Sequence, residues 1–96
     1  MIANFKDDAT RDIYDGANTK AARSIPMQVW SVAQRKLDSL NAAQDLKDLA
    51  SPPGNRLESL KGKWAGEYSI RVNDQYRIVF GFSAGRATDV RITDYH

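Results

Sequence analysis

The sequence contains no cysteine and only one histidine, His96, its last residue. Without cysteine there can be no disulfide staple, no thiol nucleophile and no cysteine-ligated zinc or iron–sulfur site. The missing disulfides fit a reducing cytoplasm. One histidine and scattered acids give no metal-ligand spacing of the HExxH kind, so no metal is expected. There is no GxSxG elbow and no glycine-rich phosphate loop after a strand, and a serine triad would have only His96 to draw on. Long apolar runs are missing too. The start, MIANFKDDATRDIY, reads as neither a signal peptide nor a membrane span, which makes a cytosolic address the expectation. Nothing suggests a cofactor pocket, so no cofactor is expected and a metabolic enzyme is a distant reading.

What is present is a chain of 96 residues, 42% hydrophobic and 27% charged. Such a composition predicts one soluble globular domain over residues 1–96, too small to split into substrate and cofactor domains. The net charge of +2 is unevenly placed. Residues 1–54 hold seven Lys/Arg and seven Asp, whereas residues 55–96 hold seven Lys/Arg against five Asp/Glu, so the whole excess lies in the second half. An anionic partner is consistent with that bias, but the arrangement of the bases must identify it.

Along the chain, Ile2 to Phe5 predicts a short edge strand. Asp7-Asp8-Ala9-Thr10 predicts a helix start with acids at the positive end of the dipole, and Gly16 its end. Ser24-Ile25-Pro26 opens the clearest helix, with serine as the expected cap and Met27, Trp30, Ala33, Leu37 and Leu40 on one apolar face. Ala42 to Leu49 predicts a further short helix, stopped by Ser51-Pro52-Pro53-Gly54. From there the period changes to two. Tyr68, Ile70 and Val72 alternate with Glu67, Ser69 and Arg71. After the turn Asn73-Asp74-Gln75, Tyr76, Ile78, Phe80 and Phe82 alternate with Arg77, Val79 and Gly81. A second turn at Ser83-Ala84-Gly85 precedes a last strand, Thr88 to Tyr95, with Val90 and Ile92 inward. The assembly expected is α+β: N-terminal helices packed on one face of a twisted antiparallel sheet, whose other face stays open.

That other face carries the candidate chemistry. Arg71 and Arg77 approach each other across the hairpin, which is unfavourable without an anion between them. Arg71 also has a plain reading as a solvated charge paired with Glu67 or Asp89. Arg77 sits in the most apolar strand, where a charge is costly. Lys61 and Lys63 frame Gly62 in LKGKWAG, where backbone and ammonium groups can meet a phosphate, although a simple basic turn has the same pattern. Arg56 and Glu58 would share a side if their segment is extended. His96 ends a strand that Ile92 anchors, beside Tyr95. Cleavage of RNA by attack of a ribose 2′-hydroxyl needs a base, cationic support for the phosphate and an acid for the leaving oxygen. Glu58 can serve as base, Arg77 and Lys61 as cations, and His96 or Tyr95 as acid.

The stretch SPPGNRLESLKGKWAGEYSIRVNDQYRIVF, followed by a terminal DYH, resembles the HigB branch of the RelE/ParE toxin superfamily, the plasmid maintenance killer proteins, and in particular its GraT-type members. The resemblance covers nearly the whole chain and implies a RelE-like fold. It implies a toxin of a type II toxin–antitoxin system that enters the ribosomal A site and cleaves mRNA there. It also implies neutralisation by a HigA-like antitoxin with a helix-turn-helix domain, through which the toxin reaches operator DNA only indirectly. Family active-site positions fall on Lys61, Arg77, Asp94, Tyr95 and His96, with Arg56, Lys63 and Arg71 as further RNA- or ribosome-binding candidates. Some members carry histidine where Glu58 stands, a departure that leaves the identity of the base open. Two alternatives remain: a ParE-like inhibitor of DNA gyrase, and a basic module that blocks the ribosome by occupancy alone. A monomer is expected for the free toxin, because no exposed apolar helical stripe is left over.

Overall fold

The computed structural model describes residues 1–95, so the expectations placed on His96 lie outside the described residues. Two helices, α1 (Asp8–Tyr14) and α2 (Met27–Ala42), pack on a four-stranded sheet. Its strands are β1 (Glu58–Ser59), β2 (Tyr68–Arg71), β3 (Tyr76–Ser83) and β4 (Arg86–Asp94), all antiparallel and in sequence order. The first segment does not form a strand. It lies parallel to β4 through isolated bridges from Ile2 to Ala87 and from Phe5 to Val90.

Helix α1 starts where the carboxylate of Asp7 accepts the Thr10 amide at 2.8 Å, satisfying one of the open N–H groups of the first turn. It buries Ile13 and Thr10, and the Thr10 hydroxyl accepts the Ile92 amide of β4 at 2.9 Å. Helix α2 departs from expectation at its start. Pro26 occupies the cap position, while the Ser24 hydroxyl turns back to the Ala21 carbonyl in a short 3₁₀ turn. The buried stripe is Val29, Ala33, Leu37 and Leu40, and Met27 points outward with 57% of its surface exposed. Trp30 packs at the edge of the core and donates its indole N–H to the Ile25 carbonyl. Beyond Ala42 the predicted short helix is reduced to a 3₁₀ turn, Leu46–Leu49, because the backbone turns extended at Ala43 and the turn restarts only after Asp45, which caps it reciprocally with Asp48.

On the helix side of the sheet, Ile70, Ile78 and Ile92 stand in one cross-strand row and join Phe80, Val90 and the α2 stripe in the main core. The other side differs from the open face expected. Ser69, Arg77, Val79 and Arg91 belong to it by register, and all four are buried. Residues 55–67 and Tyr95 cover them. This covering segment is held by β1 on β2, by the Leu60 amide on the Glu67 carbonyl and by the Glu67 amide on the Trp64 carbonyl.

Candidate active site

The second face is where a charged site can form, because strand β3 threads Arg77 beneath the covering segment. Arg77 as a residue is 7% exposed. A buried charge needs its donors satisfied, and here neutral oxygens do this. Nε donates to the Ser69 hydroxyl at 2.8 Å, and Nη2 donates to the Arg56 carbonyl at 2.5 Å. The Glu58 carboxylate lies 3.8 Å from Nη2, close enough for charge attraction but beyond hydrogen-bond range. Above the guanidinium lies the Tyr95 ring, its centre 5.3 Å from the Arg77 carbon, a cation–π arrangement. A fixed cation, a carboxylate and a phenol therefore converge on one spot.

A second cluster supports the first. Trp64 stands 6.2 Å from Tyr95, with the Lys63 ammonium 5.0 Å and the Arg91 guanidinium 5.7 Å from its ring centre. Arg91, 6% exposed, grips Glu67 with both terminal nitrogens. Those hydrogen bonds hold the Glu67 carboxyl below its usual range, against the upward push of partial burial. Glu67 thus pairs with Arg91 and not with Arg71 or Arg77.

Of the residues singled out in the sequence, Glu58, Arg77 and Tyr95 are brought together directly, and Lys63 joins them through Trp64. Arg71 stands opposite Arg77 in register, but its side chain turns to Asp74 at the hairpin end. Lys61 is exposed at the start of a 3₁₀ turn, Gly62–Trp64, in which Gly62 takes a left-handed conformation with φ of 67°. Asp94 accepts the Gln75 side-chain amide at 3.0 Å. Arg56 contributes its backbone carbonyl. Its own φ of 46° ends the extended run, so Arg56 and Glu58 do not share a strand as supposed. Ser69, Trp64 and Arg91 were not singled out. Trp64 had a signal, an aromatic residue set among Lys63, Gly62 and Gly66 outside any periodic run. Ser69 and Arg91 had none, because alternation marks them as surface.

The family model for RelE-like toxins of the type II toxin–antitoxin system HigB matches residues 3–96. The chain belongs to the HigB-like toxin family. This HigB-like chain is 44% identical over 87 residues to Toxin HigB-1 of Vibrio cholerae, covering 91% of this chain and 90% of that one. It is 40% identical over 79 residues to an uncharacterized protein of Haemophilus influenzae, covering 82% and 76% of the two chains. The YoeB–YefM complex from Staphylococcus aureus contains a chain of similar fold, with a TM-score of 0.63 over 100% of this HigB-like chain and 95% of the other at 20% identity. Among the described residues of this RelE-like toxin, no helix is long and apolar enough to cross a membrane.

Proposed function

We propose that this type II toxin stops translation by cutting mRNA in the ribosomal A site, as a single cytoplasmic domain over residues 1–96. The observation that carries the reading is the Arg77 centre, a fixed buried cation with a carboxylate at 3.8 Å and a phenol ring over it. Arg77 and Lys61 receive the scissile phosphate. Glu58 takes the proton of the ribose 2′-hydroxyl as its oxygen attacks phosphorus. The bond from phosphorus to the 5′-oxygen breaks, and Tyr95 or His96 protonates the leaving oxygen, giving a 2′,3′-cyclic phosphate and a 5′-hydroxyl. Asp94 steadies the C-terminal end of β4. Arg56, Lys63 and Arg71 hold the surrounding RNA backbone. A HigA-like helix-turn-helix antitoxin neutralises the toxin, which is otherwise a monomer. That an antitoxin chain accompanies the structurally similar YoeB supports a partner of this kind.

Primer extension on a defined mRNA, with and without programmed ribosomes, tests the proposal beside a Lys61/Arg77/His96 triple-alanine variant. Expected are cuts at the A-site codon that require ribosomes and vanish in the variant. Intact mRNA with translation still blocked would mean inhibition by occupancy. Intact mRNA with translation unaffected would point to DNA gyrase.

A further inference from the structure

Lys36, on α2, is a half-buried lysine whose ammonium meets an amide oxygen instead of a carboxylate. It donates to Oδ1 of Asn55. Among the described residues no ion pair is formed by Lys36, and burial, aided by Arg35 and Arg71, lowers its pKa from the ordinary lysine value. Asn55 is 1% exposed, and its amide donates to the carbonyls of Leu49 at 3.1 Å and Ser51 at 3.4 Å. The Asn55 oxygen thus ties this stretch to helix α2 through Lys36, while its amide nitrogen ties it to the backbone of Leu49 and Ser51. The next residue, Arg56, is in the left-handed region and presents its carbonyl to Nη2 of Arg77.

We infer that Lys36 and Asn55 form a strut that positions Arg77, by fixing the Arg56 carbonyl that holds one edge of its guanidinium. The inference rests on the reading of Arg77 as the phosphate-binding cation proposed above. Its physical content is a competition. With the Arg56 carbonyl in place, Nη2 is held by a neutral oxygen and stays 3.8 Å from Glu58. With that carbonyl displaced, the best remaining partner for the freed edge is the Glu58 carboxylate, in a charge-assisted pair that would occupy both groups. The strut keeps cation and carboxylate adjacent but unspent. Lys36 and Asn55 are positioning residues, since neither is argued to touch RNA.

The test uses the full-length protein with isotope-labelled arginine nitrogens. The Arg77 Nε–H signal, assigned by its loss in Arg77→Lys, reports whether the guanidinium is held. In Lys36→Met the exchange of that proton with water should speed up by roughly tenfold or more, as for a site opened locally. Arg35→Met, which removes the same charge one residue away, should leave it unchanged, and Lys36→Arg should restore slow exchange. In the A-site cleavage assay, Lys36→Met should lower kcat by about tenfold with KM unchanged, the mark of a misplaced group and not of lost binding. The strut is refuted by a wild-type Arg77 signal in Lys36→Met, by an equal change in Arg35→Met, or by an unaltered kcat. A rise in KM alone also refutes it, making Lys36 a surface contact for RNA. Should Lys36→Met fail to fold, Lys36→Gln, with its shorter side chain, takes its place. If the wild-type protein does not cut mRNA, the proposed function fails, and the Arg77 signal still decides the strut.

Discussion

At Arg77, charge and shape make separable contributions. The guanidinium fork meets the Ser69 hydroxyl with one nitrogen and the Arg56 carbonyl with another, a geometry an ammonium cannot reproduce. Arg77→Lys should therefore keep the local charge and the fold yet lose most of the toxicity, measured as growth arrest on induction alongside a thermal melt. Arg77→Ala should lose toxicity as well. It should also cost about 1–3 kcal/mol, because the Ser69 hydroxyl and the Arg56 carbonyl are left without their buried donor. Urea unfolding of the two variants separates the effects, and a toxic Arg77→Lys protein would show that charge alone suffices. Arg71 shows the opposite case. It lies in register with Arg77, but its guanidinium pairs with Asp74 at the hairpin end, so the two cations do not have to share an anion.

At the level of elements, the segment of residues 55–67 turns half a sheet face into a site. Its far end is secured by Glu67 on Arg91, which in turn backs Trp64. The folded state holds the Glu67 carboxyl below its ordinary range, so this contact stabilises the fold above the ordinary glutamate pKa and is lost as pH falls through the lowered one. Asp48, lowered by the backbone amides of Gln44 and Asp45, acts in the same direction. Glu67→Gln should lower stability by about 1–3 kcal/mol at neutral pH. It should also flatten the loss between neutral and acid, as read from melting temperatures across that range. An unchanged acid slope would assign the pH dependence elsewhere. The same segment marks the limit of what could be read in advance. Strands β2 to β4 and their turns were legible because alternation of Ile70, Ile78 and Ile92 with polar neighbours has one structural solution. Helix α2 was legible through Ala33, Leu37 and Leu40, but Met27 lay on the wrong side because the stripe runs through Val29. The covering segment has no period, and its path depends on Asn55, whose partners are distant or irregular backbone. Glu58, Arg77 and Tyr95 could be nominated by chemistry, whereas burial of Arg77 and Arg91 depended on a cover no pattern announces.

For the whole molecule, the excess of basic residues over residues 55–96 surrounds the proposed site, while the first half balances to zero. Association with RNA should then weaken linearly on a log–log plot against salt. Lys63→Ala or Arg71→Ala should each reduce that slope by roughly 0.7–1, as expected for one phosphate contact removed. Filter binding of ribosomes at several salt concentrations checks this, and an unchanged slope would place either residue outside the RNA path.

The parallel seating of residues 2–6 against β4 affects how this protein is dismantled. The Ala3 amide bonds the Ala87 carbonyl, the Lys6 amide bonds that of Val90, and the Ile92 amide bonds the Thr10 hydroxyl across 82 positions of sequence. All four strands come from residues 58–94, but the core they share needs Ile13 and the α2 stripe from the first half, which makes completion of the fold a long-range event. The same stitching acts in reverse when a protease draws in either end. Extracting the first six residues uncovers β4, and extracting β4 uncovers both α1 and Arg77. Digestion from either side should therefore leave no trimmed fragment with a working Arg77 centre, and a stable toxic fragment in a digestion time course would show otherwise.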